Sequence, residues 1–100
     1  MIETSIVIRT KNEERWITKC LKAINNQLYK NYETIIVDNC STDNTLQKLE
    51  NFNIEKIISI NKYKPGKSLN LGVKKAKGKF IVFVSSHCIP SDSNWLGNLI

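Results

Sequence analysis

Apolar and polar residues follow one another along this chain in blocks whose spacing switches between strand and helix. "SIVIRT" (residues 5–10) is β-branched and nearly unbroken apolar, as expected of a strand covered on both faces. Asn12 follows as a candidate N-cap, with Glu13 and Glu14 suited to a positive first turn. Trp16, Ile17, Cys20, Leu21, Ile24 and Leu28 then recur at helical spacing. A second strand is predicted over "ETIIVD" (33–38), after which "NCSTDNT" offers Ser41 or Thr42 as the start of a helix through Leu46 and Leu49 toward Phe52. "EKIISI" (55–60) reads as a third strand. The next helix has Leu69, Val73 and Ala76 on one face and Gly78 at its C′ position. "KFIVFV" (79–84) is the fourth strand, and Asp92 or Ser93 caps a last short helix with Trp95, Leu96, Leu99 and Ile100.

This order predicts a single α/β domain over residues 1–100, with a Rossmann-like, mainly parallel sheet of about four strands and helices on both faces. In such sheets ligands bind outside the carboxyl ends of the strands, where strand order reverses. Those ends are "RTKNE", "DNCSTD", "NKYKPG" and "SSHCIP", which hold most of the chemically interesting side chains.

Composition narrows the class. A hydrophobic content of 41% suits a globular domain. No apolar run approaches the roughly 20 residues of a membrane span. The opening residues lack the pattern of a signal peptide, so a cytoplasmic location is expected. Cys20, Cys40 and Cys88 are odd in number and widely spaced, which predicts free thiols rather than a disulfide framework or a zinc site. The net charge is +6, and "NKYKPGKSLNLGVKKAKGK" holds seven lysines and no acid. Such a stretch attracts phosphorylated ligands or anionic surfaces, or is simply a solvated helix face. No arginine-rich run, RNP-like segment or zinc-finger spacing accompanies it, so nucleic acid is not an expected partner.

The strand ends carry the candidate chemistry. "RTKNE" contains no G-x-G-x-x-G and no phosphate-cradling P-loop. Thr10, Asn12 and Glu13 can hydrogen-bond a base or ribose; equally, Asn12 and Glu13 can serve only to cap a helix. Asp38 ends a buried strand, where a carboxylate needs donors from a ligand or from the N–H groups of the following turn.

The run "SIVIRTKNEERWITKCLKAINNQLYKNYETIIVDNCSTDNT" resembles the opening of family 2 glycosyltransferases of the GT-A fold. Members typically read V-S-I-[VI]-[IV]-P-T-Y-N-E, then N-Q-T-Y, then [IV]-V-D-D-G-S-T-D-x-T. "GKSLNLGVKKAKGKFIVFV" continues the resemblance across nearly the whole chain. It implies a GT-A nucleotide-binding subdomain that takes a nucleotide-sugar donor, a UDP-sugar first of all. Thr10, Lys11 and Glu13 would surround the base and ribose, with Lys11 in place of the frequent stacking Tyr. Asp38 matches the first acid of the D-D pair and Asn39 replaces the second. Arg9 stands where Pro is common and Cys40 where Gly is common. Lys67 would contact the diphosphate, Ser86 would be among the residues that bind the donor nucleotide, and Gly72 would permit close packing on the sheet.

The family's Asp-x-Asp signature, which holds Mn²⁺ or Mg²⁺ against the diphosphate, is replaced here by Ser85-Ser86-His87. Oxygen-seeking cations are poorly served by that set. Three readings of His87 stand side by side: one ligand of a metal, a direct phosphate contact in a metal-independent site, or a structural side chain at a strand end. The resemblance also implies an acceptor-binding half and a catalytic base for inverting transfer. No base is assignable before Ile100, so the chain is expected to be the donor-binding portion of a longer enzyme. Its acceptor would be a glycan or lipid-linked molecule, reached through a missing region, with peripheral association at the inner membrane face. The alternative is a non-catalytic nucleotide-binding or interaction module that lacks the acid pair.

Overall fold

In a computed structural model the described residues are 2–60, 70, 72–86, 89 and 93–99. Strands β1 (Thr4–Thr10), β2 (Tyr32–Asp38), β3 (Lys56–Ser59) and β4 (Phe80–Ser85) alternate with helices α1 (Ile17–Asn25), α2 (Thr45–Leu49) and, after β4, α3 (Trp95–Leu99). Asn70 and residues 72–75 are also helical. The four strands form one sheet in the order β3-β2-β1-β4, and every pairing is parallel. The chain therefore steps outward from β1 to β2 to β3, then returns to the other side of β1. The reversal falls between β1 and β4.

Residues of alternate parity in each strand feed two cores, as the two-residue period requires. One face carries Ile6, Ile8, Ile36 and Val84 against Ile17, Cys20, Leu21 and Ile24 of α1, Leu49 of α2 and Leu96 of α3. Side chains of this kind contribute about 1.5–3 kcal/mol each on full burial. The opposite face is smaller, with Val7, Val37 and Ile60 joined by Ile58 and Ile81. Helical Gly72 lies over it, since a Cβ there would stand 2.4 Å from Val7 Cγ1. Helices on both faces explain why β1 and β2 lack polar alternation.

Several local expectations are corrected. The first helix begins at Ile17, not beside Asn12, because Asn12 adopts φ 50 and its side chain is used elsewhere. Trp16 stands at the N-cap position without a side-chain cap, 37% exposed. Arg15 and Lys19 face its ring at 5.9 and 5.2 Å from the centroid. Leu28 lies beyond the helix and is 69% exposed. The second helix starts at Thr45 rather than Ser41 or Thr42; those two residues are held in the preceding loop. Val73, expected on a buried face, is 43% exposed. Gly78 is not a left-handed C′ residue, since no glycine among the described residues has positive φ. Its missing side chain serves close approach instead, because a Cβ would meet the Ser5 nitrogen at 2.5 Å. The Leu96 N–H of α3 is capped not from nearby in sequence but by the buried Gln27 Oε1, at 2.8 Å. Leu69, Asp92 and Ile100 lie outside the described residues.

Neither Cys20 nor Cys40 is in a disulfide; Cys20 is buried and Cys40 exposed. Cys88 lies outside the described residues. Among the described residues no helix is long and apolar enough to cross a membrane.

Gly72→Ala is expected to lower stability by about 1–3 kcal/mol, because branched Val7 has little freedom to withdraw from the added methyl. Urea unfolding should show a lower midpoint with an unchanged slope.

Candidate functional site at the carboxyl ends of the strands

Parallel register sets the site. Thr10 is level with Asp38 across β1 and β2, and Arg9 is level with Ser85 across β1 and β4. One step further along, Ser86 comes alongside Thr10. Asp38, Thr10 and Ser86 thus form a row across three adjacent strand ends, each residue 1% exposed. The Oγ1 of Thr10 and the Oγ of Ser86 have no hydrogen-bond partner among the described residues. A buried hydroxyl left in that state costs about 1–3 kcal/mol.

Asp38 differs from its two neighbours. Its carboxylate accepts the Ser41 N–H at 3.0 Å and the Ser41 hydroxyl, so the following turn supplies donors to both oxygens. Asn39 is 3% exposed, and its N–H donates to the Thr10 carbonyl at 3.0 Å. This continues the ladder one residue past β2. Lys11 is exposed and Glu13 half-buried. Lys67 and His87 lie outside the described residues.

The loops after β1 and β2 hold each other through side chains whose importance the sequence reading missed. Asn12 Oδ1 accepts the N–H groups of Thr42 at 2.7 Å and Asp43 at 3.3 Å, while its own N–H donates to Ser41 Oγ at 2.9 Å. In the other direction, the Glu13 N–H donates to Thr45 Oγ1 at 2.8 Å, and the Glu14 N–H to Asp43 Oδ2 at 3.2 Å. Asp43 Oδ1 also takes the Thr45 N–H at 2.9 Å and the Thr45 hydroxyl. Each loop therefore satisfies the other's orphan N–H groups. The candidate capping residues were visible in the sequence; that they cap across loops rather than within their own was not. Ser41 is the link, since its oxygen accepts from Asn12 while its proton goes to Asp38.

The bracket needs two left-handed residues, Asn12 and Cys40, both at φ 50. Asn tolerates that region. Cys40 occupies the position where the resembled family has Gly, and the backbone angle supplies the reason for that preference. Its thiol donates to the Ile60 carbonyl at 3.1 Å.

Partial burial alone would push the Asp43 carboxyl up. The Thr45 hydroxyl and the N–H groups of Thr45 and Glu14 outweigh that effect and hold it below its ordinary value. A depression of about 140 Å³ lined by Arg9, Phe83, Val84 and Ser85 lies at this end of the sheet. A larger one, about 300 Å³, lies at the amino end beside Tyr32, Glu33 and Glu55, away from every strand terminus that carries the row. We place the site by the buried hydroxyls, which point to a missing partner, rather than by size.

Among the described residues, the donor set at the end of β4 does not fit a divalent cation. Ser85 and Ser86 offer neutral hydroxyls, and Asp38 and Asp43 are committed to the loops. No group of three His, Cys, Asp or Glu side chains converges among the described residues.

The bracket predicts a pH dependence. Because the folded Asp43 carboxyl is held down, its contribution is complete above the unfolded value near pH 4 and is lost as pH falls through the lower folded value. The stability gap between the wild type and Asp43→Asn, read from urea midpoints, should be widest above about pH 5 and close toward about pH 2. A gap independent of pH would remove the charge from this account.

Comparison with known proteins agrees with this geometry. The model of the family described as glycosyl transferase family 2 matches residues 5–100. A dolichyl N-acetyl-α-D-glucosaminyl phosphate 3-β-D-2,3-diacetamido-2,3-dideoxy-β-D-glucuronosyltransferase of Methanococcus voltae is 42% identical over 96% of this chain and 32% of its own length. The crystal structure of Staphylococcus aureus TarS 1–349 in complex with UDP-GlcNAc superposes with a TM-score of 0.88. It is 30% identical, covering 98% of this chain and 30% of that one. A mannosyltransferase from Pyrobaculum calidifontis, in complex with GDP-Man and Mn²⁺, shares the fold at a TM-score of 0.88 and 21% identity. The chain spans about a third of the length of these proteins. With a parallel GT-A sheet, a bracketed pair of loops and a family match from Ser5 to its last residue, the chain belongs to glycosyl transferase family 2.

Proposed function

We propose that residues 1–100 form the donor-nucleotide-binding portion of a longer glycosyltransferase that takes a UDP-sugar. The carrying observation is the pair of buried, unpartnered hydroxyls of Thr10 and Ser86 at adjacent strand ends on the β1–β4 side. The β2 side is closed by the bracket, so a ligand that satisfies these hydroxyls approaches from the β1–β4 side. The TarS structure with UDP-GlcNAc lends support from a relative of the same fold.

In this reading Thr10, Lys11, Glu13, Asp38 and Asn39 surround the base and ribose. Ser41 holds the Asp38 carboxylate through both oxygens, so its position beside the ligand is fixed. Lys67 and His87, assigned through the family resemblance, meet the diphosphate together with Ser86. The described donor set does not fit a metal, so lysine charge offsets the phosphates in this proposal. The catalytic base belongs to a region beyond Ile100 and deprotonates an acceptor hydroxyl for inverting attack at the anomeric carbon. The acceptor is a glycan or a lipid-linked molecule at the inner membrane face. A relative from Escherichia coli, 32% identical over 94% of this chain, is named for a diphosphoundecaprenol-linked acceptor. A second reading, a nucleotide-binding module without transfer activity, draws on Ser85 and His87 standing where the family's acid pair is expected.

Substitution of the two hydroxyls gives effects of opposite sign. Thr10→Val and Ser86→Ala each remove an unpartnered buried group, so the free chain should be as stable as the wild type or more so. Each should nevertheless weaken UDP roughly three- to tenfold, the value of one neutral hydrogen bond. Calorimetry with UDP and UDP-GlcNAc, with and without Mn²⁺, measures the affinity, and thermal unfolding measures the stability. Absence of UDP binding, or unchanged affinity in both variants, rejects the assignment. Turnover by a longer chain separates the enzyme from the binding module.

A further inference from the structure

At the amino end of the sheet, opposite the row described above, lies a second buried polar cluster. Glu33 is 6% exposed, and its Oε2 accepts the Ser5 hydroxyl and the Lys77 N–H, the latter at 2.6 Å. Ser5 Oγ in turn accepts the Gly78 N–H at 2.8 Å. Glu33 Oε1 is buried with no partner among the described residues, and the contacts that tie the carboxylate to β1 and to the turn before β4 run through Oε2. Gly78 is pressed against β1, where a Cβ would lie 2.5 Å from the Ser5 nitrogen and 2.7 Å from the Thr4 carbonyl carbon. The Phe80 N–H donates to the Glu3 carbonyl at 2.9 Å. β4 begins at this point.

β4 needs such a fixture. Phe80 to Val84 are all apolar, so a slip of one residue along β1 exchanges one set of apolar side chains for another. Hydrophobic pattern normally sets register by penalising that slip; here it does not discriminate. A slip would nonetheless set Ser85, rather than Ser86, beside Thr10. We infer that Glu33, Ser5 and Gly78 are positioning residues that clamp β4 to β1 in the register that brings Ser86 level with Thr10. The clamp acts from the far end of the strand, through backbone N–H groups, and touches no ligand. Its bearing on donor binding rests on the reading given above; the register itself does not.

The test uses isotope-labelled protein and interstrand NOEs. In the wild type, β4 should show contacts for the pairs Ile6 with Val82 and Ile8 with Val84. Glu33→Gln retains an oxygen acceptor for Lys77 and Ser5 and should keep these pairs. Glu33→Ala, Ser5→Ala and Gly78→Ala should lose or shift them while the β1–β2 pairs, such as Ile8 with Ile36, persist. UDP affinity should fall at least tenfold in the three disruptive variants and stay within twofold in Glu33→Gln. Unchanged β1–β4 pairs in the disruptive variants overturn the clamp. So does joint loss of β1–β2 and β1–β4 pairs, which would make the cluster a general stabiliser. If the wild type binds no UDP, the donor assignment fails, while the NOE pattern still decides the register question.

Discussion

β1 has a strand on each side and a packed layer on each face, so its backbone groups have no water to turn to. The N–H and C=O groups between Thr4 and Thr10 must be answered by β2, β4 or the residues that flank them, and the parallel pairing fixes the relative height of the strands. The two cores, the alignment of Asp38 with Thr10 and the row that ends at Ser86 all follow from that pairing. Polar chemistry lies at the two ends of the sheet, since the middle of its two central strands, β1 and β2, holds Ile and Val.

The two ends solve their backbone problem differently. At the carboxyl end, neutral and acidic side chains of one loop receive the N–H groups of the other, which leaves the β1–β4 side for further partners. At the amino end, one carboxylate and one hydroxyl are consumed by a single turn. Buried groups that are fully answered, such as Asp38 through Ser41, add rigidity to their surroundings. Buried groups that are not, such as Thr10 and Ser86, mark where the folded chain is incomplete as a chemical object. That distinction carries more weight than the size of a surface depression, since the larger of the two here sits away from the row.

Much of this was legible in the residues themselves. Unbroken β-branched runs announced buried parallel strands, and their polar termini announced the site. Motif order across "TKNE" and "DNCSTDNT" reached the family, which periodicity alone does not. The misreadings share one cause: sequence spacing identifies a residue able to cap or turn the chain, but not the backbone it will serve. Asn12 was read as capping its own helix and instead holds Thr42 and Asp43. Gly78 was read as a helix terminator and instead makes room for Ser5. Ser41 and Thr42 were read as a helix start and instead belong to the bracket. In each case a contact some 30 or more residues away in sequence outcompeted a local one.

The capping of α3 by Gln27 has a consequence for how this chain acquires its structure. Five residues fall well short of the length at which a helix persists alone. The acceptor for the Leu96 N–H lies 69 positions earlier, just beyond the end of α1 at Asn25. Helix formation at Trp95–Leu99 is therefore a non-local event that waits on closure of a long loop. During synthesis the first quarter of the domain emerges without the segment that covers Gln27. The cap joins two segments far apart in the chain, so the helix owes its place to a long-range contact rather than to local propensity.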